Sequence, residues 1–218
     1  MKEKIFDVLI ADYLKNGRPV GSKYLHKVYF KKIPSSTIRW YLRKLTEEKI
    51  ITNVENNQGR VPTDKGWRLY FEKNRDLPDN ITYQILLQTK AYKKNNLEFK
   101  FNYILKKFNL YGIIYNNNYW RENGLDCIAK NPEFDDRNYF LKLSYLIKSL
   151  KNKKISSLKT ITFNDVNILI GKEISIPKCD EFSIFAWKKS YLYYYFLIGV
   201  KRINYPIVYK IIKKLFKI

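Results

Sequence analysis

An α+β fold is predicted by three features of these 218 residues. Apolar side chains recur at helical spacing through the first part of the chain. Short β-branched and aromatic runs, bounded by Gly and Pro, crowd the last part. A helix-period stretch then closes the sequence.

Ile5, Val8, Leu9 and Tyr13 share one helical face, and Gly17 ends that helix. Gly21-Ser22 opens a second short helix through about Tyr29, with Ser22 as its N-cap. Pro34 and Ser35 start a third, again with a hydroxyl cap. On it Ile38, Tyr41, Leu42 and Leu45 line one face, while Ser36, Trp40, Arg43 and Glu47 point the other way and Arg39 flanks them. Ile50 to Val54 and Gly59 to Val61 read as the arms of a hairpin, with Asn56-Asn57-Gln58-Gly59 as its polar tip. Pro62-Thr63-Asp64 begins a helix holding Trp67, Tyr70 and Phe71. Leu77-Pro78-Asp79 marks a boundary, giving domains at 1–76 and 80–218.

In the second half, Leu97 to Phe108 has helical spacing and Leu110 to Tyr115 reads as a strand. Residues 116–135 are polar and irregular. Tyr139 to Leu150 is an amphipathic helix. Val166 to Ile170, Phe182 to Trp187 and Tyr191 to Val200 read as strands, the last a buried one, and Pro206 to Phe216 is the closing helix.

The formal net charge is +22, which favours a polyanionic partner. It is spread evenly. Residues 1–78 carry 17 Lys and Arg against 9 Asp and Glu, and residues 79–218 carry 25 against 11. A general bias toward Lys, Asn, Ile, Tyr and Phe explains much of this, so the charge supports nucleic-acid binding without locating it. Cys127 and Cys179 match no metal spacing and read as reduced thiols in a cytoplasmic protein. The N-terminus lacks the apolar core of a signal peptide, and the longest apolar run is about half what a membrane helix needs.

Helix, short helix, helix, hairpin and helix, in that order, is the layout of a winged helix-turn-helix, which puts one helix into a DNA major groove. The candidate DNA-binding residues follow from it. On the third helix they are Ser35, Ser36 and Thr37 at the N-terminus, then Arg39, Trp40 and Arg43. Ser22 and Lys23 open the second helix, Asn57, Gln58 and Arg60 belong to the wing, and Lys65 follows it. Free N–H groups at a helix N-terminus attract phosphate or a base edge. Arg39 and Arg43 each offer a fork to guanine or a contact to phosphate. Trp40 can meet a thymine methyl, a sugar edge, or another protein surface.

Three strings in this segment, Pro19-Val20-Gly21-Ser22-Lys23, Ser36-Thr37-Ile38-Arg39 and Gly59-Arg60-Val61-Pro62-Thr63-Asp64-Lys65-Gly66, resemble the N-terminal domain of the bacterial heat-inducible transcription repressor HrcA family. Fainter echoes follow in the family's order: Gly124-Leu125, Asn131-Pro132-Glu133-Phe134, Val166 to Gly171 with Glu173, and Gly199 with Arg202-Ile203-Asn204-Tyr205. The resemblance implies a repressor of chaperone operons that binds an inverted-repeat operator as a homodimer and loses activity on heat stress, with the chaperonin aiding its folding. It also implies a reduced GAF-like α/β domain for regulation and dimerisation after the winged helix. The chain departs from the family at Trp40-Tyr41, where Asn-Asp is usual, and at Asn56-Asn57-Gln58, where Thr-Ser-Ala is usual. Between Tyr115 and Gly124 it is too short for the family's inserted dimerisation segment and two further strands.

No glycine-rich phosphate loop, Ser-His-Asp set or metal cluster is legible, so no catalytic residue, cofactor or metal is assigned. The single histidine, His26, reads as a surface or capping residue, and Asp135-Asp136 beside Glu133 as a polar loop. Tyr191, Tyr193, Tyr194 and Tyr195 are the only hint of a ligand. Two other functions fit the same residues: a non-specific or architectural DNA binder, and a protein-interaction module that docks through Trp40 and Tyr41.

Overall fold

The computed structural model describes residues 1–54, 58–76, 84, 96–116, 119–152, 165–190 and 193–218. The chain divides into two compact units, Met1–Asp76 and Leu77–Ile218. The expected boundary at Leu77-Pro78-Asp79 lies outside the described residues.

The first unit runs α1 (Lys2–Asn16), α2 (Ser22–Val28), α3 (Ser35–Glu47), β1 (Ile51–Asn53), β2 (Arg60–Pro62) and α4 (Asp64–Asn74). Ile5, Leu9 and Ile10 of α1 are buried, as are Leu25 of α2 and Ile38, Leu42 and Leu45 of α3. Ile5 and Leu9, and Ile38, Leu42 and Leu45, sit three or four apart, so the apolar stripes of α1 and α3 turn inward. Gly17 ends α1 with its N–H on the Tyr13 carbonyl. β1 and β2 pair antiparallel, Ile51 opposite Pro62 and Asn53 opposite Arg60.

Two caps differ from expectation. Ser22 is the first residue of α2, and the N-cap is Gly21, whose extended backbone (φ −104°, ψ 157°) reaches the boundary one residue earlier. The N-cap of α3 is Pro34 rather than a hydroxyl residue. Its ring fixes φ and its nitrogen has no hydrogen to leave unpaired. The hydroxyl cap is on α4, where Thr63 Oγ1 accepts from Gly66 N at 3.1 Å.

The second unit contains α5 (Leu97–Phe108), β3 (Tyr111–Asn116), β4 (Tyr119–Asn123), a short α6 (Leu125–Ile128), α7 (Arg137–Asn152), β5 (Asn167–Ile170), β6 (Phe182–Lys188), β7 (Tyr193–Val200) and α8 (Tyr205–Phe216). The strands form one antiparallel sheet in the order β4-β3-β7-β6-β5. The α+β expectation therefore holds. Residues 119–128, expected to be irregular, are instead an edge strand and a helical turn.

Side chains alternate across this sheet. Ile113, Phe182, Ile184, Ala186, Phe196 and Ile198 form a core with Leu143, Leu146 and Leu150 of α7. On the opposite face Trp187 meets Phe101 of α5 and Phe216 of α8, and Phe185 stacks on Tyr205. Helices cover both faces, which is why β6 and β7 are nearly continuous apolar runs.

The fainter motifs of this half are structural. The Arg202 guanidinium donates to both Glu133 oxygens, at 3.0 and 3.3 Å, joining two segments far apart in sequence. Asn131 donates to the Asn109 and Ile128 carbonyls, each at 2.9 Å. Asn204 caps α8, and Glu173 accepts from the Ile170 N–H. The buried Tyr205 hydroxyl donates to the Lys201 carbonyl at 2.7 Å and lies 2.6 Å from Ser183 Oγ. Asp135 is the last residue of a 3₁₀ turn (Pro132–Asp135) and Asp136 its C-cap. Cys127 and Cys179 are buried and free.

A cationic face around the third helix

The turn between α2 and α3 is held by His26. Its Nδ1 stands 2.8 Å from the Ile33 carbonyl and 3.3 Å from that of Phe30. A carbonyl only accepts, so Nδ1 carries the proton. The sole histidine, expected as a surface or capping residue, is thus a turn clamp.

α3 buries Ile38, Leu42 and Leu45 and exposes Ser36, Thr37, Arg39, Trp40, Arg43 and Glu47. The first intrahelical bond runs from Ile38 N to the Pro34 carbonyl, so the N–H groups of Ser35, Ser36 and Thr37 precede the ladder and face outward partners. Trp40 is 48% exposed. Its ring meets Tyr41 edge-on at 4.9 Å, and the Lys44 ammonium lies 5.8 Å from its centroid.

A concavity lies on each side of Arg39. The larger, about 1190 Å³, is lined by Lys15, Arg18, Lys23, Arg39 and Arg60 together with Ser22, Asn53 and Gln58. The smaller, about 690 Å³, holds Ser36, Trp40 and Arg43, with Thr46 and Glu47. Arg39, Asn53 and Arg60 line both. Five cations in the larger concavity face one carboxylate, Asp12. That group is buried, and its Oδ1 accepts from Asn16 at 3.0 Å, Tyr24 at 2.8 Å and Tyr29 at 2.7 Å. The bond to Asp12, reinforced by burial, pushes the Tyr29 phenol up to about 12.

The hairpin explains much of the string from Gly59 to Gly66. Gly59 has φ +129°, and a Cβ there would stand 2.8 Å from the Pro19 carbonyl carbon and 2.9 Å from Val20 N. That close approach lets Arg60 and Val20 exchange two backbone hydrogen bonds, at 2.9 and 3.0 Å. Pro62 is buried, Thr63 caps α4, and Asp64 sits in the first turn, where the helix dipole favours an acid. Gly66 packs against the Ile50 carbonyl, which any Cβ would strike.

The structure therefore brings Ser22, Lys23, Ser36, Arg39, Trp40, Arg43, Gln58 and Arg60 to one face, Ser22 with its side chain buried. Ser35 and Thr37 lie beside them on α3 but line neither concavity. Lys65 is elsewhere: its ammonium donates to the Glu48 carbonyl at the end of α3, at 3.0 Å. Asn57 lies outside the described residues, as does Tyr191. Sequence reasoning missed Asn53, Arg18, Lys15 and Asp12. Asn53 is opposite Arg60 in the hairpin register, and Asp12 falls on the apolar stripe of α1, three residues after Leu9. An acid on such a stripe signals buried donors.

Among the described residues no cluster of His, Cys, Asp and Glu could hold a metal ion, and no helix is long and apolar enough to cross a membrane. No family model matches the chain. Over 90 residues, 41% of its length, it is 38% identical to the heat-inducible transcription repressor HrcA of Clostridium acetobutylicum, and over 72 residues 38% identical to that of Clostridium tetani. The repressor of the same name from Chlamydia pneumoniae is 37% identical over 79 residues. These matches span 26%, 20% and 20% of the relatives, so the chain spans about a quarter or less of the length of the curated proteins it matches. A solved structure described only as a hypothetical protein shares the fold, with a TM-score of 0.78 and 15% identity over 99% of this chain and 94% of that one.

Proposed function

Since the chain belongs, by a match over about a third of its length, to the family of the heat-inducible transcription repressor HrcA, we propose that it is a sequence-specific DNA-binding repressor. In this reading α1 to α3 and the β1–β2 hairpin form a winged helix-turn-helix, with α3 as its recognition helix. The observation that carries it is the exposed face of α3, where Arg39 stands between two cation-lined concavities and Trp40 and Arg43 line the smaller of them.

The unpaired N–H groups at the start of α3 attract phosphate, and Lys23 and Arg60 clamp the backbone on either side. Arg43 offers its fork to a guanine edge, and Trp40 packs on a thymine methyl or a sugar. The second unit, with its five-stranded sheet, serves as a reduced GAF-like domain for regulation and dimerisation. Two copies then read the halves of an inverted repeat, and heat releases the operator by unfolding or separating them.

Gel-shift titration of the purified chain tests this against an inverted-repeat operator of the family and a scrambled duplex. At about 0.15 M ionic strength the operator is expected to bind at least ~10³-fold more tightly. Equal affinity for both duplexes rejects sequence-specific repression. The exposed Trp40, with the half-buried Tyr41 edge-on to its ring, favours a second reading, a docking module for another protein. It requires Arg39→Ala and Arg43→Ala to be silent while Trp40→Ala abolishes function.

A further inference from the structure

The Arg60 backbone is fixed by its two bonds to Val20 and its register opposite Asn53. Its side chain is half-buried, and Nε is buried without a hydrogen-bond partner among the described residues. Burial first, and then the charge of Arg39, lower the pKa of this guanidinium. The described carboxylates nearby are otherwise engaged. Glu47 pairs with Lys44 at 3.1 Å, and Asp12 already accepts three hydrogen bonds. Among the described residues the two guanidiniums thus share one place with no carboxylate paired to either, and a desolvated cation is costly unless an anion meets it.

We propose that Arg39 and Arg60 form one seat for a single phosphate group, with the Asn53 side chain at its rim. The inference rests on the DNA-binding reading above and refines it: Arg39 holds the nucleic-acid backbone, and base reading falls to Arg43 and Trp40. A guanine edge offers Arg39 neutral acceptors, which leave the repulsion from Arg60 in place. A phosphate carries the missing charge and has oxygens enough for two forks. The same chemistry would accept a free phosphate, so the source must be separated by experiment.

The full chain and its Arg39→Gln, Arg60→Gln and double variants are titrated with operator and scrambled duplexes over a salt series. Each single variant is expected to weaken both duplexes equally, by about tenfold, and to reduce the log–log salt slope by about 0.9, the value for one phosphate. Because both arginines hold the same phosphate, the double variant is expected to lose no more slope than either single one. A doubled loss of slope, a changed base preference in Arg39→Gln, or unchanged affinity in either single variant overturns the shared seat while leaving DNA binding intact.

If the wild type binds neither duplex, the functional reading fails, and the seat is judged with inorganic phosphate. A rise in melting temperature over chloride at equal ionic strength, absent in Arg60→Gln, identifies a free phosphate as the ligand; no rise overturns the seat. Unliganded Arg60→Gln is expected to melt no lower than wild type, since it removes a half-buried charge whose Nε has no partner among the described residues, and this separates lost binding from lost folding.

Discussion

The Asp12 carboxylate lies buried on the apolar stripe of α1, where Asn16, Tyr24 and Tyr29 all donate to Oδ1. Replacing it leaves its partners without their acceptor. Asp12→Ala is therefore expected to cost about 1–3 kcal/mol in denaturant unfolding. The Tyr29 pKa is raised by this carboxylate, so the stability it contributes is complete below the ordinary phenol value near 10 and is lost as pH rises through about 12. In Asp12→Ala, the Tyr29 ring resonance in NMR is expected to titrate back toward 10. A titration still near 12 would assign the shift to burial alone. Gly66 is equally constrained: a Cβ would strike the Ile50 carbonyl, and Gly66→Ala is expected to destabilise by about 3 kcal/mol or more.

At the scale of elements, helix ends decide where the cationic face sits. α3 finishes with Lys49 in the left-handed region (φ 58°). Ile50 N bonds to the Leu45 carbonyl and Lys49 N to that of Thr46, each at 2.9 Å, a Schellman ending that turns the chain into β1. A non-glycine residue carries a steric cost there, so Lys49→Gly is expected to raise unfolding stability by about 0.5–1 kcal/mol. A decrease would mean that the Lys49 side chain stabilises the turn. The regular elements are legible in the sequence because their periodicity is strong: α5 matches its expected span to the residue, and α1, α3, β6 and α8 match to within a few residues. β4 is not legible, because an edge strand carrying Arg121 and Glu122 shows no apolar alternation. The caps of α2 and α3 escape a search for hydroxyl residues because Gly and Pro can hold a helix boundary as well as Ser can. Arg39, Trp40 and Arg43 are legible from helical spacing. The nearness of Arg39 to Arg60, with Asn53 lining the same concavities, depends on the bridge from Val20 to Arg60. Nothing local in the sequence announces that pairing.

Across the whole molecule, the positive charge is even along the chain, but geometry concentrates some of it. Five cations line one concavity in the first unit, whereas the motif residues of the second lock its sheet and helices together through Glu133–Arg202 and Ser183–Tyr205. Under the proposed function the α3 face of the first unit reads a particular DNA sequence, rather than DNA in general. Selection of bound duplexes from a random-sequence library by the full chain tests it with no operator assumed. Enrichment of an inverted repeat, with half-sites separated by whole helical turns and altered in Arg43→Ala, is the expected result. Retention of duplexes with no enriched sequence would contradict the claim.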